Sequence, residues 1–157
     1  MQNTLRTLIL GLAALITFAH AAPGDEPGAV AAAFGLALLA GDADTAIGHM
    51  QIITPEESAQ LKKEMGEAEY QKTVNALTQG LKNMIVSDAA DIQKTLKEKG
   101  GKTHVNADEV TYTNVAKTGA KVTLTVKAER KDGATAEVGS QTFSLVKTAQ
   151  GWKVTPD

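Results

Sequence analysis

His49 and His104 are the histidines that lie beyond the first 21 residues, and His20 is the third. Imidazole is the side chain best suited to proton transfer and to metal ligation near neutral pH. A zinc site would gather three or four such ligands at close local spacing. This chain has no cysteine to complete one, and no metal site is expected. His49 falls near a predicted helix C-terminus, where a protonated imidazole favours the dipole. His104 opens a predicted strand. Asp42 and Asp44 offer two carboxylates to a cation, but Asp42 follows Gly41 between two helical patterns and reads as an N-cap. Asp108 and Glu109 are neighbours in a predicted strand, where alternation sends them to opposite faces and keeps them from converging. Calcium-loop spacing is absent. Ser140 and Ser144 sit in no nucleophile motif. The expectation is a protein without catalytic chemistry and without a cofactor.

The N-terminus carries the most specific signal. Residues 1–7 are polar with one cation, Arg6, and residues 8–18 form an apolar run. Ala19-His20-Ala21 then gives the small-x-small pattern of a signal-peptidase site. Cleavage is expected after Ala21, with Ala22 as the new N-terminus. The apolar run is about half the roughly 20 residues that span a bilayer, so no membrane anchor is expected after cleavage. No cysteine follows for lipid attachment. Residues 1–21 are thus a predicted cleaved signal, 22–28 an exposed leader, and 29–157 one domain. The expected location is periplasmic or secreted.

The formal net charge is −2, with charges of both signs mixed along the chain and only 4% aromatic residues. Nucleic-acid binding needs a basic patch interleaved with aromatic residues, so no nucleic-acid partner is expected. Without disulfides the domain must rely on packing.

Residues 27–40 carry apolar positions at helical spacing: Val30, Phe34, Leu38 and Leu39. Gly41 ends that helix and Asp42 starts the next, which runs to about Met50. Thr54-Pro55-Glu56-Glu57 is a helix start with an N-cap, a proline at the first turn and a capping box. From there to Gly100-Gly101 the pattern fits one, two or three helices. Gly66 weakens its middle, and Ser87 or Asp88 could cap another start. The period then changes to two. Residues 105–115 form a first strand with Val110 and Tyr112 on one face. Residues 122–129 form a second, followed by the Lys131-Asp132-Gly133 turn. A third runs over 135–147 with a bulge at Gly139, and a fourth over 152–155. Helices first and an antiparallel meander afterwards make an α+β fold. Thr123, Thr125 and Lys127 read as its solvated face.

Four features together resemble the DUF4878-type domains of the NTF2-like superfamily, exported bacterial proteins. They are the opening helix Val30-Ala31-Ala32-Ala33-Phe34 running into Gly41-Asp42, and the Gly100-Gly101 pair. The strand from Ala120 to Val126 with its Asp132-Gly133 turn, and the ending Phe143 to Val146 with Gly151-Trp152-Lys153-Val154, complete the set. Residues 55–91 look longer than that family's core. The resemblance implies an NTF2-like cone, with N-terminal helices packed on a curved antiparallel β-meander. It implies no activity, since one fold hosts enzymes, binders and assembly modules. Isomerase-like relatives pair an acidic base with a tyrosine in the cone. Tyr112 is the candidate tyrosine here, without an aspartate assignable as its partner.

Phe34, Leu38, Tyr112, Phe143 and Trp152 are the candidate lining of an apolar pocket between helix and sheet; ordinary core packing is the competing reading. The expected function is an exported small-ligand-binding or accessory protein, its partner a small apolar ligand. A homodimer through the sheet, or docking on an envelope protein, is the alternative. An isomerase- or dehydratase-like enzyme is the second alternative.

Overall fold

The computed structural model describes residues 26–99, 102–129 and 132–156. The expected signal peptide and its cleavage point, Ala21 and Ala22, lie outside the described residues, as do Gly100 and Gly101. Four helices precede four strands: α1 (Pro27–Ala40), α2 (Ala43–Gly48), α3 (Pro55–Met65) and α4 (Glu67–Lys99), then β1 (Lys102–Tyr112), β2 (Gly119–Glu129), β3 (Thr135–Thr148) and β4 (Gly151–Thr155). The strands form one antiparallel sheet in the order β1-β2-β3-β4. The fold is therefore α+β, helices followed by an antiparallel meander, as the change of period predicts.

α1 organises the domain. It is alanine-rich and apolar nearly all round, so it cannot tolerate an open face to water. It packs against all four strands, α2 and α4. Pro27 sits in its first turn and is buried. The helix begins at Pro27, as the apolar spacing over 27–40 predicts, so Pro27 and Gly28 belong to it and not to the expected leader. At the other end Gly41 adopts φ 71° and its N–H donates to the Leu38 carbonyl, while the Asp42 N–H donates to that of Ala37. This is a left-handed cap of the Schellman kind. Leu39 is fully buried in the core, which stabilises the fold by roughly 1.5–3 kcal/mol.

Asp42 is an N-cap as expected. Its Oδ1 accepts the Thr45 N–H at 3.1 Å and its Oδ2 accepts the Thr45 hydroxyl at 2.7 Å. Those bonds, the side-chain one first, hold its carboxyl below the usual range. Asp44 instead pairs with Lys82 of α4. α2 ends at Gly48, earlier than expected, because the next residues take a different partner. Met50 bridges Val154 in parallel, the Gln51 N–H donates to the Val154 carbonyl, and the Val154 N–H donates to that of His49, both at 2.8 Å.

Thr54 and Glu57 form the predicted capping box, with Glu57 Oε2 accepting the Thr54 N–H at 2.8 Å. Gly66, at φ 80°, breaks the chain into two helices. No second break occurs at Ser87 or Asp88. α4 continues for 33 residues, roughly 50 Å, because Ile85, Ala89 and Ile92 bury one continuous stripe into the core. α3 leans on the first part of α4 and buries no residue fully. Ser58 and Tyr70 share a 2.8 Å hydroxyl contact, and Lys62 pairs with Glu67 at 3.1 Å.

The sheet has two irregularities. Ala107 pairs with Leu124 and Glu109 with Thr123, so Asp108 is an extra residue. The expected alternation of Asp108 and Glu109 therefore fails at this point. The second bulge falls beside Gly139, near where the sequence placed it, since Val126 pairs with Gly139 and Lys127 with Glu137. Bulges bend a strand and increase its twist. β1 stops at Tyr112 rather than at residue 115. On the outer face, Thr123 and Thr142 hydroxyls meet at 2.9 Å. Thr125 there is only 5% exposed, contrary to the solvated reading; it is a short side chain at the middle of a central strand.

Two glycines in helices predict opposite outcomes. A Cβ at Gly35 would lie 2.8 Å from Leu124 Cδ1, whereas Gly80 has open space around it. Gly35→Val should cost about 1–3 kcal/mol through overpacking, and Gly80→Ala should add up to about 1 kcal/mol from helix propensity. Urea unfolding measures both.

His49 makes a separate prediction. Burial, then the Lys153 charge, lowers its pKa from 6.5. The helix-dipole expectation had the opposite sign; desolvation of the cation outweighs it. As pH falls below about 6.5 the unfolded chain takes up the proton first, so stability falls with it. His49→Gln should flatten the stability profile in that window. Loss of the Asp42 and Glu57 contributions belongs lower, below their ordinary values of 3.8 and 4.5.

Candidate functional site

Leu38 and Trp152 lie in the hydrophobic core together with Phe34. Phe143 packs against that core from β3. Its ring meets Phe34 edge-on, with centroids 5.4 Å apart and an interplanar angle of 86°. Four of the five candidate pocket residues thus belong to, or pack against, the one core between α1 and the sheet. The fifth, Tyr112, is different: it is 36% exposed.

Tyr112 ends β1, and the register explains its setting. It pairs with Ala120, which pairs with Leu145, which pairs with Val154. Beyond the Asp108 bulge the inward positions are Val110 and Tyr112, as the sequence predicts. Gly28 of α1 comes close enough that a Cβ there would lie 3.2 Å from Val110 Cγ2. Ala120 is small, so the Tyr112 ring reaches across it to Trp152 of β4, at 6.1 Å and a 48° tilt. The Tyr112 hydroxyl makes a long contact, 3.4 Å, to Glu26 Oε2. Glu26 is the N-cap position of α1, though its side chain makes no cap bond. The acid beside Tyr112 is therefore an exposed glutamate at a helix end.

The hairpin loop between β1 and β2 closes this end. The Thr113 N–H donates to the Gly119 carbonyl at 2.9 Å. Asn114 Oδ1 accepts the Thr118 N–H, and Asn114 Nδ2 donates to the Thr118 hydroxyl, both at 2.9 Å. Lys117 is held at φ 52°, and its Nζ lies 5.1 Å from the Tyr112 ring centroid. A cation over an exposed ring contributes about 0.5–1 kcal/mol. Val110 is 40% exposed and Val115, at the loop, 103%. The result is a half-open aromatic surface with Val110 on its face, an exposed apolar loop residue next to it and a cation over the ring, suited to holding an apolar or amphiphilic group.

Sequence reasoning named Tyr112 and Trp152 but missed Lys117, Glu26 and Val115. Lys117 depends on a loop conformation with positive φ, which a lysine does not advertise. Elsewhere, His104 Nε2 lies 3.8 Å from a Glu129 oxygen on the outer face, remote in register from Tyr112. Among the described residues no group of three or more metal-ligating side chains comes together, and no helix is long and apolar enough to cross a membrane.

No family model matches the chain, and a search of curated proteins returns no match. Among solved structures, the chain is similar to a Campylobacter jejuni protein assigned as an NTF2-like transpeptidase. The two are 17% identical, with a TM-score of 0.49, over 82% of this chain and 95% of that one. Sequence divergence of this extent carries neither activity nor site residues across.

The aromatic pair gives a direct readout. The chain has one tryptophan, Trp152, only 4% exposed. Tyr112→Ser should open the indole to water and shift its emission to longer wavelength. An unchanged spectrum would show that Tyr112 does not shield it.

Proposed function

We propose that the protein is a non-catalytic exported binding or accessory protein with an NTF2-like cone, whose ligand seats at the Tyr112–Trp152 end of the sheet. The observation behind this reading is the part-exposed Tyr112 ring tilted against a buried Trp152, with Val110 on the same strand face and Val115 exposed in the adjoining loop. Deeper in, Phe34 and Phe143 occupy the space under α1, which favours a ligand at the rim over one in the centre. Export is read from residues 1–21, so the mature protein would begin at Ala22 in the periplasm or outside the cell.

The second reading is a docking module for a second copy or an envelope protein. It is favoured by Leu77, a large apolar side chain that remains exposed on α4. Native mass spectrometry of protein isolated with its export signal intact tests both readings. The expected spectrum is a monomer beginning at Ala22 with a bound small-molecule adduct, lost in Tyr112→Ser. A doubled mass that disappears in Leu77→Glu favours the second. A bare monomer in every sample, with no thermal shift from any amphiphile, overturns ligand binding.

A further inference from the structure

We infer that the Tyr112–Trp152 end binds an anionic amphiphile, with its head on Lys117 and Lys147 and its apolar part on Tyr112, Val110 and Val115. The inference rests on the ligand-binding reading above and names the ligand class.

Charge placement carries it. Lys147 pairs with Trp152 in register, and its N–H donates to the Thr118 carbonyl at 2.8 Å. Side chains alternate along a strand, so Lys147 shares the inward face of β3 with Phe143 and Leu145, both part of the apolar packing there. It nevertheless ends in solvent. Lys117 lies beside it in the chain segment that bonds to β3, its ammonium already over the Tyr112 ring. The other lysines of this end are placed differently. Lys121 alternates to the outer face between Ala120 and Val122, and Lys153 Nζ donates to the Gly48 carbonyl. Glu26 is the acid of the cluster, and its carboxylate is turned to the Tyr112 hydroxyl. Lys117 and Lys147 thus both belong to the end of the sheet that carries Tyr112 and Trp152, where Glu26 is already engaged by the Tyr112 hydroxyl.

Backbone strain points to the same residue. A left-handed conformation costs an L-residue with a Cβ free energy that glycine avoids. The Asn114–Thr118 bonds nevertheless hold Lys117 there. Strained residues over-determined by their surroundings cluster at ligand clamps. A carboxylate or phosphate head with an alkyl or aryl tail satisfies both halves of the surface at once.

Trp152 fluorescence tests it. Sodium decanoate below its micelle concentration, decyltrimethylammonium and decyl maltoside share one tail and differ in head charge. Decanoate should bind several-fold tighter than the other two. Lys117→Asn, which suits the left-handed backbone, and Lys147→Gln should each weaken decanoate about fivefold and leave decyl maltoside unchanged. Equal affinity for the three heads, or lysine variants without effect, would overturn the anionic preference while leaving an apolar ligand site standing. No binding of any tail would overturn both readings. Sedimentation with phosphatidylglycerol and phosphatidylcholine vesicles separates the sources. Decanoate binding without vesicle binding supports a free amphiphile, and selective phosphatidylglycerol binding supports a lipid headgroup.

Discussion

At Gly35 the backbone of α1 lies so close on the Leu124 side chain of β2 that a single added carbon would meet its Cδ1 at 2.8 Å. That missing side chain sets the depth at which α1 lies on the sheet. The rest follows from the depth. Leu124 and Val122 become fully buried, Phe34 meets Phe143 edge-on, and Pro27 is pressed into the core. The Schellman turn at Gly41 then has to clear Ala89 of α4, where again a side chain would be tight. A helix held this closely on two sides fixes its own N-terminus, and with it the position of Glu26 beside Tyr112. Interiors packed to crystal-like density transmit placement in this manner.

Much of this arrangement was legible in the residues. The capping box at Thr54, the left-handed cap at Gly41, the Asp42 N-cap and the bulge beside Gly139 each rest on local chemistry that the sequence displays. What escaped was decided by distant partners. α2 stops at Gly48 because Val154, more than a hundred residues later, takes the backbone groups of residues 49–51. α4 runs through Ser87 and Asp88 because burial of Ile85, Ala89 and Ile92 outweighs two weak cap signals. The Asp108 bulge left no glycine or proline to mark it. It also reset the alternation on which the reading of Asp108 and Glu109 depended.

The candidate site divides in the same way. Phe34, Leu38, Phe143 and Trp152 were nameable from apolar spacing, and they do share one region. That spacing does not distinguish a pocket wall from a core. Tyr112 stands apart only because the strand ends there and α1 begins just short of it. The parity of β3 would have put Lys147 on the inward face once the register with Trp152 was known. Lys117 was beyond such reasoning, since its place is set by side-chain bonds within a six-residue loop.

The parallel bridge between Met50 and Val154 closes one side of the sheet, whereas among the described residues β1 pairs only with β2. The sheet is consequently polar in its capacity to grow. Any further strand, from this chain or another, has backbone donors and acceptors to meet alongside β1. Such a strand would have to follow the kink at Asp108, a condition that a flat, regular strand does not satisfy.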